Sequence, residues 1–142
     1  GCTFDGYFCD FDRNYALQKA DDDVRNAYRV VYQATDAGLE AAVPGNTAAD
    51  VFRAMNRVLE TNGAKGGQVG RMGHGLGMQL TEWPSNAVFD NTVLENGMVL
   101  TLEPGMRFGE NKIMVHEENL VIRKEGPQLL TRRAPEELPV IR

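Results

Sequence analysis

A change of hydrophobic period partway along the chain constrains its fold more than any other feature. Val24, Ala27, Val31, Ala34 and Gly38 recur at spacings of three and four, which predicts one apolar face of a long helix running to about Ala42. Asp21, Asp22 and Asp23 supply carboxylates suited to its N-terminus. Pro44-Gly45 breaks it. Thr47-Ala48-Ala49-Asp50 then has the pattern of a capping box, with Asp in the usual Glu position. Val51, Met55, Val58 and Leu59 face inward on a second helix that ends near Asn62-Gly63. From Lys65 onward the helical period is lost. Short apolar runs alternate with turn signals at Gly66-Gly67, Pro84-Ser85, Asn96-Gly97, Pro104-Gly105 and Gly109-Glu110-Asn111. Residues 98–102, 113–115 and 120–122 read as strands.

Residues 1–16 complete the pattern as a hairpin rich in aromatic side chains. A two-residue turn at Asp5-Gly6 sets Phe4 opposite Tyr7, Thr3 opposite Phe8 and Cys2 opposite Cys9. The order hairpin, two helices, several strands predicts an α+β fold, an antiparallel sheet covered by helices on one face. Ala134 to Pro139 reads as a loose tail. At 142 residues the chain fits one domain or one large piece of a domain. The net charge of −5 argues against a nucleic-acid partner, which needs a basic face. No apolar run approaches the roughly 20 residues that span a bilayer, so no membrane partner is expected. No signal peptide is visible, and the chain begins Gly1-Cys2-Thr3 rather than with Met. A cross-strand Cys2–Cys9 disulfide is geometrically open, but two reduced thiols in a cytoplasmic protein is the favoured reading.

Four segments place acids and a histidine where strands and turns could converge. Asp10 and Asp12 are two apart, so on a strand both project from one face and Arg13 from the other. His74 lies in Gly73-His74-Gly75-Leu76-Gly77, where glycines allow close backbone approach. Glu103 ends an apolar strand just before Pro104-Gly105. Glu117 and Glu118 interrupt a strand, with Glu117 sharing a face with Val115 and Asn119, and His116 sharing the other with Glu118. Singly, each has an ordinary explanation: a solvated face, a structural histidine, a loop acid. Together they form an oxygen-rich set with one nitrogen, suited to Mn²⁺, Fe²⁺, Co²⁺ or Zn²⁺.

In this order the segments resemble the M24 metallopeptidase family, which includes methionine aminopeptidase, aminopeptidase P, prolidase and creatinase. Gly1, Gly6, Tyr7, Asp10 and Arg13 match the family's first metal-binding strand, and Gly73-His74-Gly75-Leu76-Gly77 matches its His-Gly-x-Gly motif. Glu103-Pro104-Gly105 matches its Glu-Pro-Gly motif, and Glu117 to Ile122 resembles its closing acidic strand. The resemblance implies a pita-bread fold, a curved antiparallel sheet with helices on its outer face. Residues 1–142 would be the C-terminal part of the catalytic domain, N-terminally truncated. It further implies Asp10, His74, Glu103 and Glu117 as metal ligands, or Glu118 in place of Glu117 if the last strand shifts by one. Glu103 would also shuttle a proton. Two divalent ions per full-length site, a homodimer and cleavage of Xaa-Pro peptides follow from the same resemblance. Another Asp ligand would lie two residues before Gly1, so this chain alone is expected to hold at most one ion tightly.

Departures from the family pattern keep other functions open. Asp12 stands where relatives carry Thr, and Thr81 in Thr81-Glu82-Trp83-Pro84 stands where peptidases usually carry a substrate-binding His. Thr81 cannot take up a proton at neutral pH. Trp83 could wall a small or cationic substrate, although a packed core aromatic is the more ordinary role. A creatinase-like C–N hydrolase, a lyase resembling those that cleave dimethylsulfoniopropionate, and a catalytically silent binding domain are therefore the alternatives to a peptidase.

Overall fold

The computed structural model describes residues 1–64 and 70–142; the turn expected at Gly66-Gly67 lies outside them. Strands β1 (Cys2–Phe4) and β2 (Tyr7–Cys9) form the expected hairpin in the expected register, Cys2 opposite Cys9. Positive φ at Asp5 and Gly6 makes the tight turn. The hairpin is shorter than expected, because Ala16–Leu17 (β3) instead pairs in parallel with β11 (Val140–Ile141).

Helix α1 (Asp22–Ala41) buries Ala27, Tyr28, Val30, Val31, Ala34, Thr35 and Gly38. Helix α2 (Ala48–Thr61) starts on the expected capping box: Asp50 N–H donates to the Thr47 hydroxyl at 3.2 Å, and Thr47 N–H donates to Asp50 Oδ2 at 2.8 Å. The helices touch closely at Gly38, where a Cβ would lie 2.9 Å from the Met55 side chain.

The strands are β4 (His74–Gly75), β5 (Glu82–Ser85), β6 (Val99–Leu102), β7 (Gly105–Gly109), β8 (Lys112–Val115), β9 (Glu118–Val121) and β10 (Gln128–Leu129). Five make an antiparallel sheet in the order β10-β9-β6-β4-β5, and β7 pairs with β8 alongside. Helix α1 packs on β6, β7 and β8. The core between them contains Leu100, Leu102, Met106, Met114, Leu120 and Ile122, the α+β layering expected from the sequence.

Three local expectations are corrected. Pro104-Gly105 is buried rather than a solvent turn: the Pro104 carbonyl accepts His116 N–H at 3.2 Å as the chain passes from β6 to β7. The strand through His116 and Glu117 is broken, since β8 ends at Val115 and β9 begins at Glu118. The segment from Ala134 to Pro139 is anchored, with Ala134 and Leu138 buried and the Pro139 carbonyl accepting Ala16 N–H at 2.9 Å.

Candidate metal centre

Two glycines place His74. Gly73 has φ +122°, and a Cβ there would lie 2.1 Å from the Thr101 carbonyl oxygen; at Gly75 it would lie 2.4 Å from the Trp83 carbonyl oxygen. Only glycine lets β4 lie this close to its neighbours, and the imidazole between them is buried. Thr101, on β6, links it to the next acid. Its hydroxyl accepts His74 N–H at 3.0 Å and donates to Glu103 Oε1 at 2.5 Å. His74 Nδ1 lies 2.9 Å from the Gly75 carbonyl, which accepts an Nδ1–H and so selects that tautomer. Nε2 is left pointing at Glu103 Oε1, 2.9 Å away. A neutral imidazole of this tautomer meets the carboxylate lone pair to lone pair, so a proton or a cation must sit between them. Burial alone lowers the His74 pKa, but hydrogen bonds to Glu103 and the Gly75 carbonyl reverse this and hold it above its ordinary value.

Asp10 and Glu117 close the group from the other side. Asp10 follows β2, and its backbone is gripped by Asn119: Asp10 N–H donates to Asn119 Oδ1 at 3.1 Å, and Asn119 Nδ2 donates to the Asp10 carbonyl. Glu117 sits in the break between β8 and β9. One ligand atom from each of Asp10, His74, Glu103 and Glu117 can be chosen so that all four lie within 4.8 Å of one another. The group has an electrostatic deficit. Glu117 is buried and its Oε1 has no donor among the described residues. Burial, then the charge of Glu103 and a hydrogen bond to it, then Asp10 and Asp12, push the Glu117 carboxyl far above the usual carboxylate range. Glu103 moves the opposite way: burial would raise it, but hydrogen bonds from His74, Thr101 and Glu117 hold it low. The two carboxyls thus shift in opposite directions, Glu117 toward its protonated form and Glu103 toward its carboxylate. An orphaned buried oxygen, an exposed imidazole lone pair and converging carboxylates fit a hard or borderline divalent ion.

The remaining expected site residues fall outside the group. Asp12 is exposed and not on a strand, since β2 ends at Cys9; burial and the charges of Asp10 and Glu103 still raise its pKa. Glu118 is turned away, fully buried and hydrogen-bonded by Arg13, Thr131 and Ala134. The structure thus groups Glu117, not Glu118, with the other three. The expected division of faces holds despite the broken strand: Asn119 meets Asp10, while Arg133 reaches both His116 and Glu118. Thr81 is exposed, 3.5 Å from an Arg71 guanidinium nitrogen. Trp83 is 66% exposed and donates to Thr92 Oγ1 at 2.8 Å, so it is not a core aromatic. The cysteines are free, their sulfurs 2.8 Å apart. Sequence reasoning missed Thr101, Asn119 and Arg71. Thr101 alone carried a local signal, two residues before Glu103 on the same strand.

Known proteins resemble this chain in sequence and fold. The metallopeptidase family M24 model matches residues 1–125. The Xaa-Pro dipeptidase of Pyrococcus furiosus is 30% identical over 132 residues, 93% of this chain and 38% of the dipeptidase. A putative dipeptidase of Bacillus subtilis is 32% identical over 141 residues, 99% of this chain and 39% of its own length. The crystal structure of the X-Pro aminopeptidase of Thermotoga maritima superposes with a TM-score of 0.91 at 25% identity, over 99% of this chain and 40% of that one. This chain therefore spans well under half the length of these relatives, and its two helices and antiparallel sheet are part of the pita-bread fold. By the extent of the family match and the identity to these dipeptidases, the chain belongs to metallopeptidase family M24.

Proposed function

We propose that this chain carries most of the metal site of a metal-dependent peptidase that cleaves the amide bond of Xaa-Pro dipeptides, residues 1–142 being the C-terminal part of its catalytic domain. The observation that carries this reading is the convergence of Asp10, His74, Glu103 and Glu117, of which Glu117 keeps a buried oxygen without a partner among the described residues. These four side chains would hold a divalent ion, Mn²⁺, Co²⁺, Fe²⁺ or Zn²⁺, and two ions would occupy the complete site. When bound, such ions polarise a scissile carbonyl and make water nucleophilic at neutral pH. Glu103 supplies the proton transfer. Held as a carboxylate by His74 and Thr101, it takes the proton lost by the attacking water and returns it to the leaving amine. Thr81 offers the substrate a hydroxyl, Trp83 an aromatic wall and Arg71 a permanent positive charge suited to a dipeptide carboxylate.

The comparisons favour the peptidase over a creatinase-like, lyase-like or silent protein, since the relatives named above are dipeptidases and an aminopeptidase. Family resemblance also supports a cytoplasmic homodimer, and the net charge of −5 argues against a nucleic-acid partner. Among the described residues no helix is long and apolar enough to cross a membrane. The test is an assay of the intact protein, stripped of metal and reloaded, against Xaa-Pro dipeptides, creatine and dimethylsulfoniopropionate. Metal-dependent release of proline is expected; turnover of only a small zwitterion, or of nothing, would contradict the proposal.

A further inference from the structure

Asp10 and Glu117 lie on parts of the chain that no β-ladder joins among the described residues. The β1–β2 hairpin is a sheet of its own, and β9 belongs to the five-stranded sheet. Side chains make the connection instead. Arg13 donates through Nη1 to the Glu117 carbonyl at 2.9 Å and through Nη2 to Glu118 Oε2 at 2.9 Å. Asn119 clasps the Asp10 backbone at both its N–H and its carbonyl. Asn14 adds a bond from Nδ2 to the Val115 carbonyl at 2.7 Å. Residues 10–14 are thus fastened to residues 115–119 by side chains that bracket both acids.

Glu118 has no free lone pair for a metal. Oε2 accepts from Arg13 and Thr131, while Oε1 accepts Ala134 N–H at 3.0 Å and lies 3.4 Å from Arg133 Nη1. A carboxylate with no solvent exposure is costly unless paired this fully, and such a pair adds little net stability over an apolar replacement. The planar guanidinium of Arg13 can hold two acceptors at set positions, which an ammonium cannot. We propose that Arg13, Glu118 and Asn119 are positioning residues that set the separation of Asp10 from Glu117, and through it the affinity and coordination geometry of the metal centre. This rests on reading the four-residue group as a metal centre.

The test uses the intact protein and the variants Arg13→Lys and Asn119→Ala. Co²⁺ affinity is measured by calorimetry, the visible absorption of bound Co²⁺ reports coordination geometry, and metal-free melting controls for folding. Each variant is expected to bind Co²⁺ about 10- to 100-fold more weakly, with a shifted absorption band, while its metal-free melting temperature stays within a few degrees of the parent. Unchanged affinity and spectrum in both folded variants would overturn the positioning role and leave the metal centre standing. Lower melting temperatures with unchanged affinity and spectrum would also overturn it, as a purely structural role. Absence of Co²⁺ binding by the parent protein would overturn the metal-centre reading, and the positioning role with it.

Discussion

Glu117 is where burial and function conflict most directly. A carboxylate enclosed with Glu103, Asp10 and Asp12 nearby, and with no donor for Oε1, keeps a proton at neutral pH. A divalent ion binding there must displace it. Mn²⁺ binding at pH 7 is therefore expected to release at least one proton, seen calorimetrically as a heat that varies with the ionisation enthalpy of the buffer. The sign follows from the raised pKa: release fades as pH rises past it, because the carboxyl is then already ionised. His74, also raised, adds to the release at lower pH. Glu117→Gln should abolish the Glu117 part and weaken binding at least ~10-fold; buffer-independent heats would contradict this. The three acids and the histidine were legible in sequence through their settings, glycines around His74 and a strand end at Glu103. Their supports were not. Asn119 acts on Asp10 across 109 residues, and no local pattern encodes such a contact.

Elements were legible where the physics is local. The period of α1 and the capping box of α2 depend on residues a few positions apart, and both formed as expected. Asp50 tests the second. Hydrogen bonds from the Thr47 side chain, then Arg53, then the Thr47 backbone lower its pKa to about 2. Asp50→Ala should cost about 1 kcal/mol, as for the loss of other helix caps, read from the urea midpoint. Because the folded pKa is depressed, the contribution is complete above the unfolded pKa near 4 and lost as pH falls from there toward 2. Asp50 is substantially exposed, so solvent screens the effect and 1 M salt should shrink it. An equal midpoint for parent and variant at pH 7 would contradict the capping role. The break at His116-Glu117 could not be read this way, because no Gly, Pro or other turn signal marks it among the four polar residues His116 to Asn119. The tail escaped for a different reason: its polar residues give no period, and its partners, Ala16 and Glu118, are remote in sequence.

For the whole molecule, composition and element order indicated α+β layering, but not the strand order β10-β9-β6-β4-β5. Pairings between distant strands leave no spacing signal in a single sequence, so the pita-bread architecture entered through motif order and was borne out by superposition on the aminopeptidase. That architecture brings His74 from β4, Glu103 from the end of β6, and Asp10 and Glu117 from segments beside β2 and β9 to one point. The most direct measurement is metal content and affinity of the intact protein, by elemental analysis and titration with Mn²⁺, Fe²⁺, Co²⁺ and Zn²⁺, beside His74→Ala and Glu103→Ala. The account predicts tight binding in the parent, with affinity lost in each variant although both still fold. Equal binding in folded parent and variants, or none in the intact parent, would contradict a metal centre built from these side chains.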